Sequence, residues 1–201
     1  MDFLIDIGNV ILAVDFQPSL DALLPADRAE QALLYQKLQH GKDALESGRV
    51  SSEEFVTWSL AQIGGPVPRE RFLRAWLDVF SPIEPMWREV ARLASAGHRL
   101  ILFSNTNQLH MDHALKRYPV FDRFHGAVFS HEVGAMKPEP AIYQHAVDQF
   151  RLSPDTTIYV DDLAENIAAG RQFGFRCWQY DPTCHDPFVV WLTNQLRGVS
   201  G

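Results

Sequence analysis

The feature that most constrains the fold is a series of five short apolar runs, four of which are nearly unbroken by polar residues. The runs cover residues 3–5, 100–103, 127–129, 157–160 and 175–178. Strands that are buried on both faces of a parallel sheet have this composition, whereas a half-exposed strand alternates apolar and polar residues. The runs therefore predict five strands of a buried parallel sheet.

Helical patterns separate the strand runs after residue 84, at 85–96, 108–117, 138–150 and 163–173. Strands and helices that alternate in this way form right-handed crossovers that cover both faces of a sheet. We therefore predict an α/β fold with a doubly wound, Rossmann-like parallel sheet. Ligands of such sheets bind at the carboxyl ends of the strands, and functional residues are expected there.

The segment between the first two strand runs differs, because residues 16–82 show helical periodicity and no convincing strand. A crossover needs only about a dozen residues, so we predict a helical cap domain at 16–82, inserted into a core domain of residues 1–15 and 83–201. Ser51 and Glu54 predict a capping box at the start of one cap helix. The helically spaced aromatic residues are expected in the cap core: Trp58, Phe72, Trp76 and Phe80.

Composition argues against several classes of protein. The chain of 201 residues is 46% hydrophobic, and 25 acidic against 18 basic residues give a net charge of −7. We expect no nucleic-acid binding, since basic residues do not cluster, and no membrane span, since no stretch approaches ~20 apolar residues. Cys177 and Cys184 are expected to be reduced thiols. The sequence thus predicts a cytoplasmic protein that is a monomer or weak dimer.

Two polar residues follow the first two strand runs. Asp6 is either an acid that caps a turn or a nucleophile, because aspartyl phosphates are a known covalent route. Ser104 either begins a polar turn before a helix that Thr106 or Asn107 caps, or binds phosphoryl oxygens together with the backbone N–H groups that follow it. Neither residue decides between these alternatives alone.

Lys137 precedes Pro138, which has the position of a first helical residue. A cation there opposes the helix dipole unless an anion is bound, so the position indicates a phosphate contact; the alternative is a solvated surface lysine. Asp161 and Asp162 repel each other unless a cation such as Mg²⁺ is near; the alternative is a capping box of Asp162 with Glu165. The residues of all four motifs are expected at the same edge of the sheet. Together they predict one phosphoryl-transfer site.

This set of motifs resembles the haloacid dehalogenase-like superfamily of phosphohydrolases, which carries a helical cap after its first motif. The resemblance covers nearly the whole chain. At the motifs, residues 6–11, 104–110, 137–139 with 142–145, and 161–167 are similar to the bacterial alpha-D-glucose-1-phosphate phosphatase type. The likeness is weaker in the cap.

The resemblance implies that Asp6 attacks phosphorus in line and forms an aspartyl phosphate, which water then hydrolyses. Ser104 and the N–H of Asn105 would hold the transferring group, and Lys137 would offset its charge by preorganised electrostatics.

The resemblance also implies Mg²⁺ as cofactor, with Asp6, Asp162 and the backbone carbonyl of Gly8 as ligands and Asp161 in a supporting position. The implied substrates are small phosphorylated metabolites, with sugar phosphates such as glucose 1-phosphate first. They are the expected partners of the site.

Gly8 departs from the pattern of many phosphatases of the superfamily, which have a second Asp two residues after the nucleophile as general acid and base. General acid catalysis contributes about 10²- to 10⁴-fold, so we expect activity to favour anomeric or aryl phosphates, whose leaving groups need less protonation. His110 and Glu46 are the candidates for a replacement acid.

Three other functions remain open at this point. A dehalogenase would use the aspartate on carbon without metal, but it has no use for the acid pair. A signalling receiver domain uses similar groups, but in the reverse order along the chain and without a cap. A phosphate-binding protein with weakened catalysis is the third, suggested by Gly8.

Overall fold

The computed structural model of the protein describes residues 1–23 and 28–197. In chain order, its strands and helices are β1 (Asp2–Ile5), β2 (Leu12–Val14), α1 (Gln17–Leu23), α2 (Arg28–Glu46), α3 (Ser52–Ile63), α4 (Arg69–Leu77), β3 (Phe80–Pro82), α5 (Glu84–Ser95), β4 (Arg99–Ser104), α6 (Gln108–Arg117), β5 (Gly126–Phe129), α7 (Ser130–Val133), α8 (Pro140–Phe150), β6 (Ile158–Asp161), α9 (Ala164–Gln172), β7 (Arg176–Gln179) and α10 (His185–Arg197). Short 3₁₀ helices cover Pro119–Arg123 and Pro154–Thr156.

The main sheet within this part of the chain has five parallel strands in the order β5-β4-β1-β6-β7. Strand β1 is central, since Phe3 pairs with Leu100 of β4 on one side and with Ile158 of β6 on the other. This arrangement confirms the predicted doubly wound sheet and all five predicted strands. Their ends differ from the predicted ends by about one residue.

Both faces of the sheet are buried, which explains the unbroken apolar runs. Successive side chains of a strand point to opposite faces. Phe3 and Ile5 therefore pack in one hydrophobic cluster, and Leu4 between them packs in another. Helices α5, α6 and α10 cover the first face, and α8 and α9 cover the second.

Helices α1–α4, here called the cap, follow β2 and have a hydrophobic cluster of their own. Phe72 and Trp76 lie at its centre, and Trp58 packs against it, as predicted. The predicted capping box is confirmed: Ser51 Oγ accepts from the N–H of Glu54, whose carboxylate accepts from the N–H of Ser51. The boundaries at 16 and 82 stay a prediction.

The expectation of no strand between residues 16 and 82 is wrong at β3. Strand β3 pairs antiparallel with β2, placing Phe80 opposite Val14 and Pro82 opposite Leu12. A three-residue strand that ends in proline has no recognisable periodicity, so only its long-range partner identifies it. Phe80 consequently packs against the main core rather than in the cap cluster, which corrects a second expectation.

Two further observations concern classes of protein. Among residues 1–23 and 28–197, no helix has the length and apolar character that crossing a membrane requires. Cys177 and Cys184 are both free thiols, as predicted.

Candidate active site

The carboxyl edge of the sheet holds the predicted site residues. Asp6 follows β1, Ser104 ends β4, and Asp161 ends β6. Lys137 reaches the same place from the loop between α7 and α8. A cavity of about 410 Å³ opens at this edge, and its lining includes the predicted residues apart from Asp161: Asp6, Gly8, Ser104, Asn105, Lys137 and Asp162.

Lys137 is buried beside two carboxylates. Its Nζ donates to Asp161 Oδ2 at 2.6 Å and to the carbonyl of Phe103 at 2.8 Å, and it forms an ion pair with Asp6 Oδ1 at 3.0 Å. Burial alone would lower the pKa of Lys137, but the two carboxylates outweigh burial and raise it above its usual range. Lys137 is therefore a permanent cation held inside the site.

The predicted helix start next to Lys137 is wrong. Helix α8 begins at Pro140 with Glu139 as its N-cap, so Pro138 is not the first helical residue. The charge of Lys137 is compensated by the carboxylates of Asp6 and Asp161 and not by the position of a helix end. The alternative of a solvated surface lysine is also wrong, since only 4% of Lys137 is exposed.

Asp161 has its hydrogen-bonding capacity filled by its neighbours. Oδ2 accepts from Lys137 Nζ and Tyr159 Oη, both at 2.6 Å. Oδ1 accepts from the N–H of Leu163 at 2.9 Å and from Asn166 Nδ2 at 3.0 Å. A carboxylate offers about four acceptor sites, so Asp161 serves to position Lys137. Tyr159 and Asn166 were missed by the sequence analysis, although Asn166 lies within a recognised motif.

Asp162 has a different environment from its neighbour. It is half-buried and lines the cavity, and from the described side chains its carboxylate accepts one hydrogen bond, from Asn9 Nδ2 at 3.1 Å. The capping-box alternative is wrong, because Leu163 is the N-cap residue of α9 and the N–H of Leu163 is bonded to Asp161. Burial raises the pKa of Asp162. Its carboxylate is thus available to a ligand in the cavity.

Asn9 was also missed, although it connects three elements. It has a left-handed backbone conformation with φ of 52°, which asparagine adopts more readily than most residues. Its side chain donates to Asp162 and accepts from the N–H of Val14 at 3.3 Å. Asn9 therefore holds the turn after Asp6 against the end of β6. An Asn after Gly8 in a predicted turn is the signal that identifies it.

Asp6 carries an incompletely satisfied carboxylate. Only 7% of the residue is exposed, and among the residues that the structure describes Oδ1 has no hydrogen-bond partner. Lys137 Nζ lies 3.0 Å away, but the contact lacks the direction of a hydrogen bond. Burial raises the pKa of Asp6 to about 7 against the attraction of Lys137. A buried oxygen in this state is costly unless a ligand completes its contacts.

The carboxylates meet the requirements of a hard divalent cation. Asp6, Asp161 and Asp162 each bring an oxygen within 4.8 Å of the others. Because Asp161 is saturated by protein donors, Asp6 and Asp162 are the two with free capacity. Two carboxylates at a phosphate site are the donor set that Mg²⁺ uses, with waters and substrate oxygens completing its shell. Gly8 lines the same cavity, so the residues present fit the predicted metal.

Ser104 and Asn105 have different surroundings. Ser104 is buried in the cavity wall, and its Oγ makes a long contact of 3.5 Å to the carbonyl of Asn105. The Asn105 side chain pairs with the backbone of Lys137 through two hydrogen bonds of 2.8 Å. Asn107 is the N-cap of α6, as one alternative predicted. The helix cap and a serine that lines the cavity therefore coexist, because different residues provide them.

The cap contributes the other wall of the cavity through one face of α2. The residues concerned are three to four positions apart, which places them on one side of the helix. They are Tyr35, Gln39, Lys42 and Glu46. Of these four, only Glu46 was predicted from the sequence, because a polar helix face that lines a cavity has the same residue pattern as a solvated face.

The chain is similar to known proteins in both sequence and structure. A family model described as haloacid dehalogenase-like hydrolase matches residues 3–174. The D-ribitol-5-phosphate phosphatase of Bacteroides thetaiotaomicron is 25% identical over 182 residues, covering 87% of this chain and 88% of that protein. The (S)-2-haloacid dehalogenase 4A of Burkholderia cepacia is 29% identical over 107 residues, covering 53% of this chain and 46% of the dehalogenase.

Solved structures give the same fold. A Bacteroides thetaiotaomicron enzyme of this family, crystallised with magnesium and inorganic phosphate, has a TM-score of 0.76 at 21% identity, covering 90% of this chain and 94% of that one. This structural similarity agrees with the family model, which spans most of the sequence. The chain belongs to the haloacid dehalogenase-like hydrolases.

Proposed function

We propose that this hydrolase is a Mg²⁺-dependent phosphatase that acts on small phosphorylated metabolites, with sugar phosphates such as glucose 1-phosphate as the first candidates. The observation that carries the proposal is the state of Asp6. Its buried Oδ1 lacks a hydrogen-bond partner among the described residues, and Asp6 lines the same cavity as Ser104 and Asp162. A nucleophile needs such a free oxygen beside a cation, and Lys137 supplies the cation.

In the proposed reaction, an oxygen of Asp6 forms a bond to phosphorus as the bond from phosphorus to the leaving oxygen breaks. Water then attacks phosphorus in the aspartyl phosphate and releases inorganic phosphate and the free carboxylate. Ser104 Oγ and the N–H of Asn105 would orient the phosphoryl group, and Lys137 would stabilise its charge. Bound Mg²⁺, held by Asp6, Asp162 and the carbonyl of Gly8, would neutralise further phosphoryl charge.

Asp161 has a positioning role in this proposal. It is saturated by four hydrogen bonds and holds Lys137 at 2.6 Å. Preorganisation of this kind keeps the ammonium group in place before charge develops on the substrate.

The comparisons support the proposal. The similar ribitol-phosphate phosphatase acts on a polyol phosphate, which shares its hydroxylated chain with sugar phosphates. The similar crystal structure contains magnesium and inorganic phosphate. Glucose 1-phosphate itself rests on the resemblance of the motifs. Cytoplasmic location and a monomeric or weakly dimeric state stay predictions from the sequence.

A dehalogenase is the second candidate, because of the partial match to the haloacid dehalogenase. The cavity argues against it. Asp162 presents a half-buried carboxylate to the cavity, and a carboxylate there repels the halide that such an enzyme releases. Phosphate release from phosphate esters and halide release from 2-haloacids separate the two.

The test is a phosphate-release panel on sugar, polyol and aryl phosphates, with Mg²⁺ and with a chelator, for the wild type and Asp6→Asn. We expect metal-dependent turnover that Asp6→Asn abolishes. Asp2→Asn is the matched control, since Asp2 lies at the opposite end of β1 and pairs with Arg99. Full activity in Asp6→Asn would refute the mechanism. A folded protein that binds phosphate without turnover would favour the phosphate-binding alternative.

A further inference from the structure

The proposed reaction lacks an obvious proton donor. The departing oxygen of an alkyl phosphate is strongly basic and needs a proton as its bond to phosphorus breaks, and general acid catalysis contributes about 10²- to 10⁴-fold. Gly8 lines the cavity and has no side chain to donate. Any replacement acid must lie in the same cavity, where the two candidates from the sequence, His110 and Glu46, are both found.

His110 does not have a free nitrogen for this purpose. Its Nε2 lies 3.0 Å from the carbonyl of Trp76, which can only accept, so Nε2 carries the proton. Its Nδ1 accepts from Asn107 Nδ2 at 3.1 Å. Burial lowers the pKa of His110 to about 4, so the ring is neutral near pH 7. The histidine links the cap to the core and does not carry a spare proton.

Glu46 has the properties that His110 lacks. It ends helix α2, and only 4% of the residue is exposed although it lines the cavity. Its Oε2 accepts from Lys42 Nζ at 2.9 Å. Burial raises the pKa of Glu46, and Lys42 offsets part of that rise. The carboxyl group thus holds a proton more readily than an exposed glutamate, and Lys42 can stabilise the carboxylate after the proton leaves.

The pair of Glu46 and Lys42 is not an ordinary surface pair. Salt bridges four residues apart on an exposed helix contribute only about 0.3–0.5 kcal/mol and leave both side chains in water. Here the side chain of Glu46 is 5% exposed and that of Lys42 is 23% exposed. Burying a glutamate at the wall of a cavity lowers the stability of the fold. The small free energy of a surface-type salt bridge does not offset that cost.

The end of α2 is also held firmly against the core. Gly48 has a φ of 70°, and a Cβ added there would lie 2.5 Å from the backbone oxygen of His131 in α7. This close approach requires glycine and places the last turn of α2 next to the carboxyl edge of β5. Glu46, two residues earlier, is therefore positioned by a backbone contact between cap and core.

We propose that Glu46 is the general acid that protonates the leaving oxygen, in place of an acid at Gly8; this inference rests on the proposed phosphatase function. As the bond from phosphorus to the leaving oxygen breaks, the Glu46 carboxyl proton passes to that oxygen and the product departs as an alcohol. When water attacks the aspartyl phosphate, the Glu46 carboxylate takes a proton from the water and is ready for the next cycle.

The test compares Glu46→Gln with the wild type on substrates that differ in leaving group. We expect kcat/KM for glucose 6-phosphate to fall by about 10²- to 10⁴-fold, while that for p-nitrophenyl phosphate, whose leaving group needs no proton, falls by less than about tenfold. Asp43→Asn is the matched control, because Asp43 lines the same cavity from the same helix but is exposed. Asp43→Asn should change kcat/KM for the two substrates by the same factor.

A rescue makes the assignment specific. A Cβ at Gly8 would lie 3.6 Å from Val14 Cγ2, which is an ordinary contact distance, so the backbone there has room for the start of a side chain. Gly8→Asp added to E46Q should restore glucose 6-phosphate turnover relative to E46Q alone. Glu46→Asp serves if the glutamine variant does not fold. This variant keeps a carboxylic acid, so kcat/KM should fall for both substrates, but the ratio between glucose 6-phosphate and p-nitrophenyl phosphate should stay close to that of the wild type.

Each outcome separates the two proposals. The role of Glu46 would be overturned if E46Q lowered kcat/KM for both substrates to the same extent and Gly8→Asp did not rescue it. That result would leave the phosphatase mechanism intact. Unchanged turnover of p-nitrophenyl phosphate in Asp6→Asn would overturn the phosphatase mechanism itself.

Discussion

Lys137 Nζ and Asp161 Oδ2 lie 2.6 Å apart, and both side chains are almost completely buried. Three further hydrogen bonds to Asp161 fix the carboxylate, and the carboxylate fixes the ammonium group. Lys137 in turn stands 3.0 Å from Asp6, which links the ends of β1 and β6 electrostatically. The ion pair of Lys137 with Asp161 therefore contributes both to the packing of the core and to the charge of the site.

Asp161→Asn should destabilise the protein and reduce turnover together. Removing one partner of a buried ion pair costs about 3–5 kcal/mol, and the lower part of that range is expected because Lys137 keeps Asp6. Urea unfolding measures the change. Asp2→Asn breaks the more exposed pair with Arg99 and should cost at most about 1 kcal/mol. Equal costs in the two variants would contradict the prediction.

The buried His110 should make the protein less stable in mild acid. Its folded pKa of about 4 lies below the ordinary value of 6.5, so the unfolded chain binds the proton more readily. The stability that the neutral His110 contributes is fully present above pH 6.5 and is lost as the pH falls toward 4. The free energy of unfolding should therefore fall by about 2 kcal/mol between pH 7 and pH 5. Urea unfolding at both pH values should show a smaller difference for His110→Gln. The same pH dependence in both proteins would refute it.

Gly170→Ala should disturb the site indirectly, by displacing Tyr159. A Cβ at Gly170 would lie 2.5 Å from Cδ1 of Tyr159, whose hydroxyl donates to Asp161. Overpacking costs about 1–3 kcal/mol, and displacement of Tyr159 should also lower kcat. Gly126→Ala is the control, since its Cβ would clash with Phe150 away from the cavity. It should lower the melting temperature and leave kcat near the wild-type value.

Gly48→Ala tests the contact between the cap and the core. The left-handed backbone costs an alanine about 1–2 kcal/mol, and the clash with His131 adds to that cost. Gly97→Ala is the control, because its φ of 80° is similar but nothing lies within 4 Å of its Cβ. Only Gly48→Ala should raise KM for sugar phosphates. Similar KM values in the two variants would show that the close approach does not position α2.

Much of the fold could be predicted because it is determined by short-range patterns. The run at residues 3–5 is apolar throughout since Phe3 and Leu4 face opposite, equally buried sides of the sheet. Strand β3 escaped prediction for the opposite reason. Its partner β2 lies far away in the chain, and three residues ending in Pro82 carry no period.

The amino-acid sequence was sufficient to predict which side chains meet at the site, because the carboxyl ends of parallel strands lie at one edge of the sheet whatever the details of packing. Residue type did not distinguish Asp161 from Asp162, and only the resemblance to the family assigned them different roles. Only the folded chain shows that Asp161 accepts from Lys137, Tyr159 and Asn166, whereas Asp162 lines the cavity.

The same limit applies to the acid candidates. His110 and Glu46 are equally plausible donors in the sequence, since both are titratable residues outside the main motifs. Only the folded chain shows that both nitrogens of His110 are occupied and that Glu46 is buried at the cavity wall. Proton availability depends on burial and hydrogen-bond partners from distant segments, and those exist only once the cap packs on the sheet.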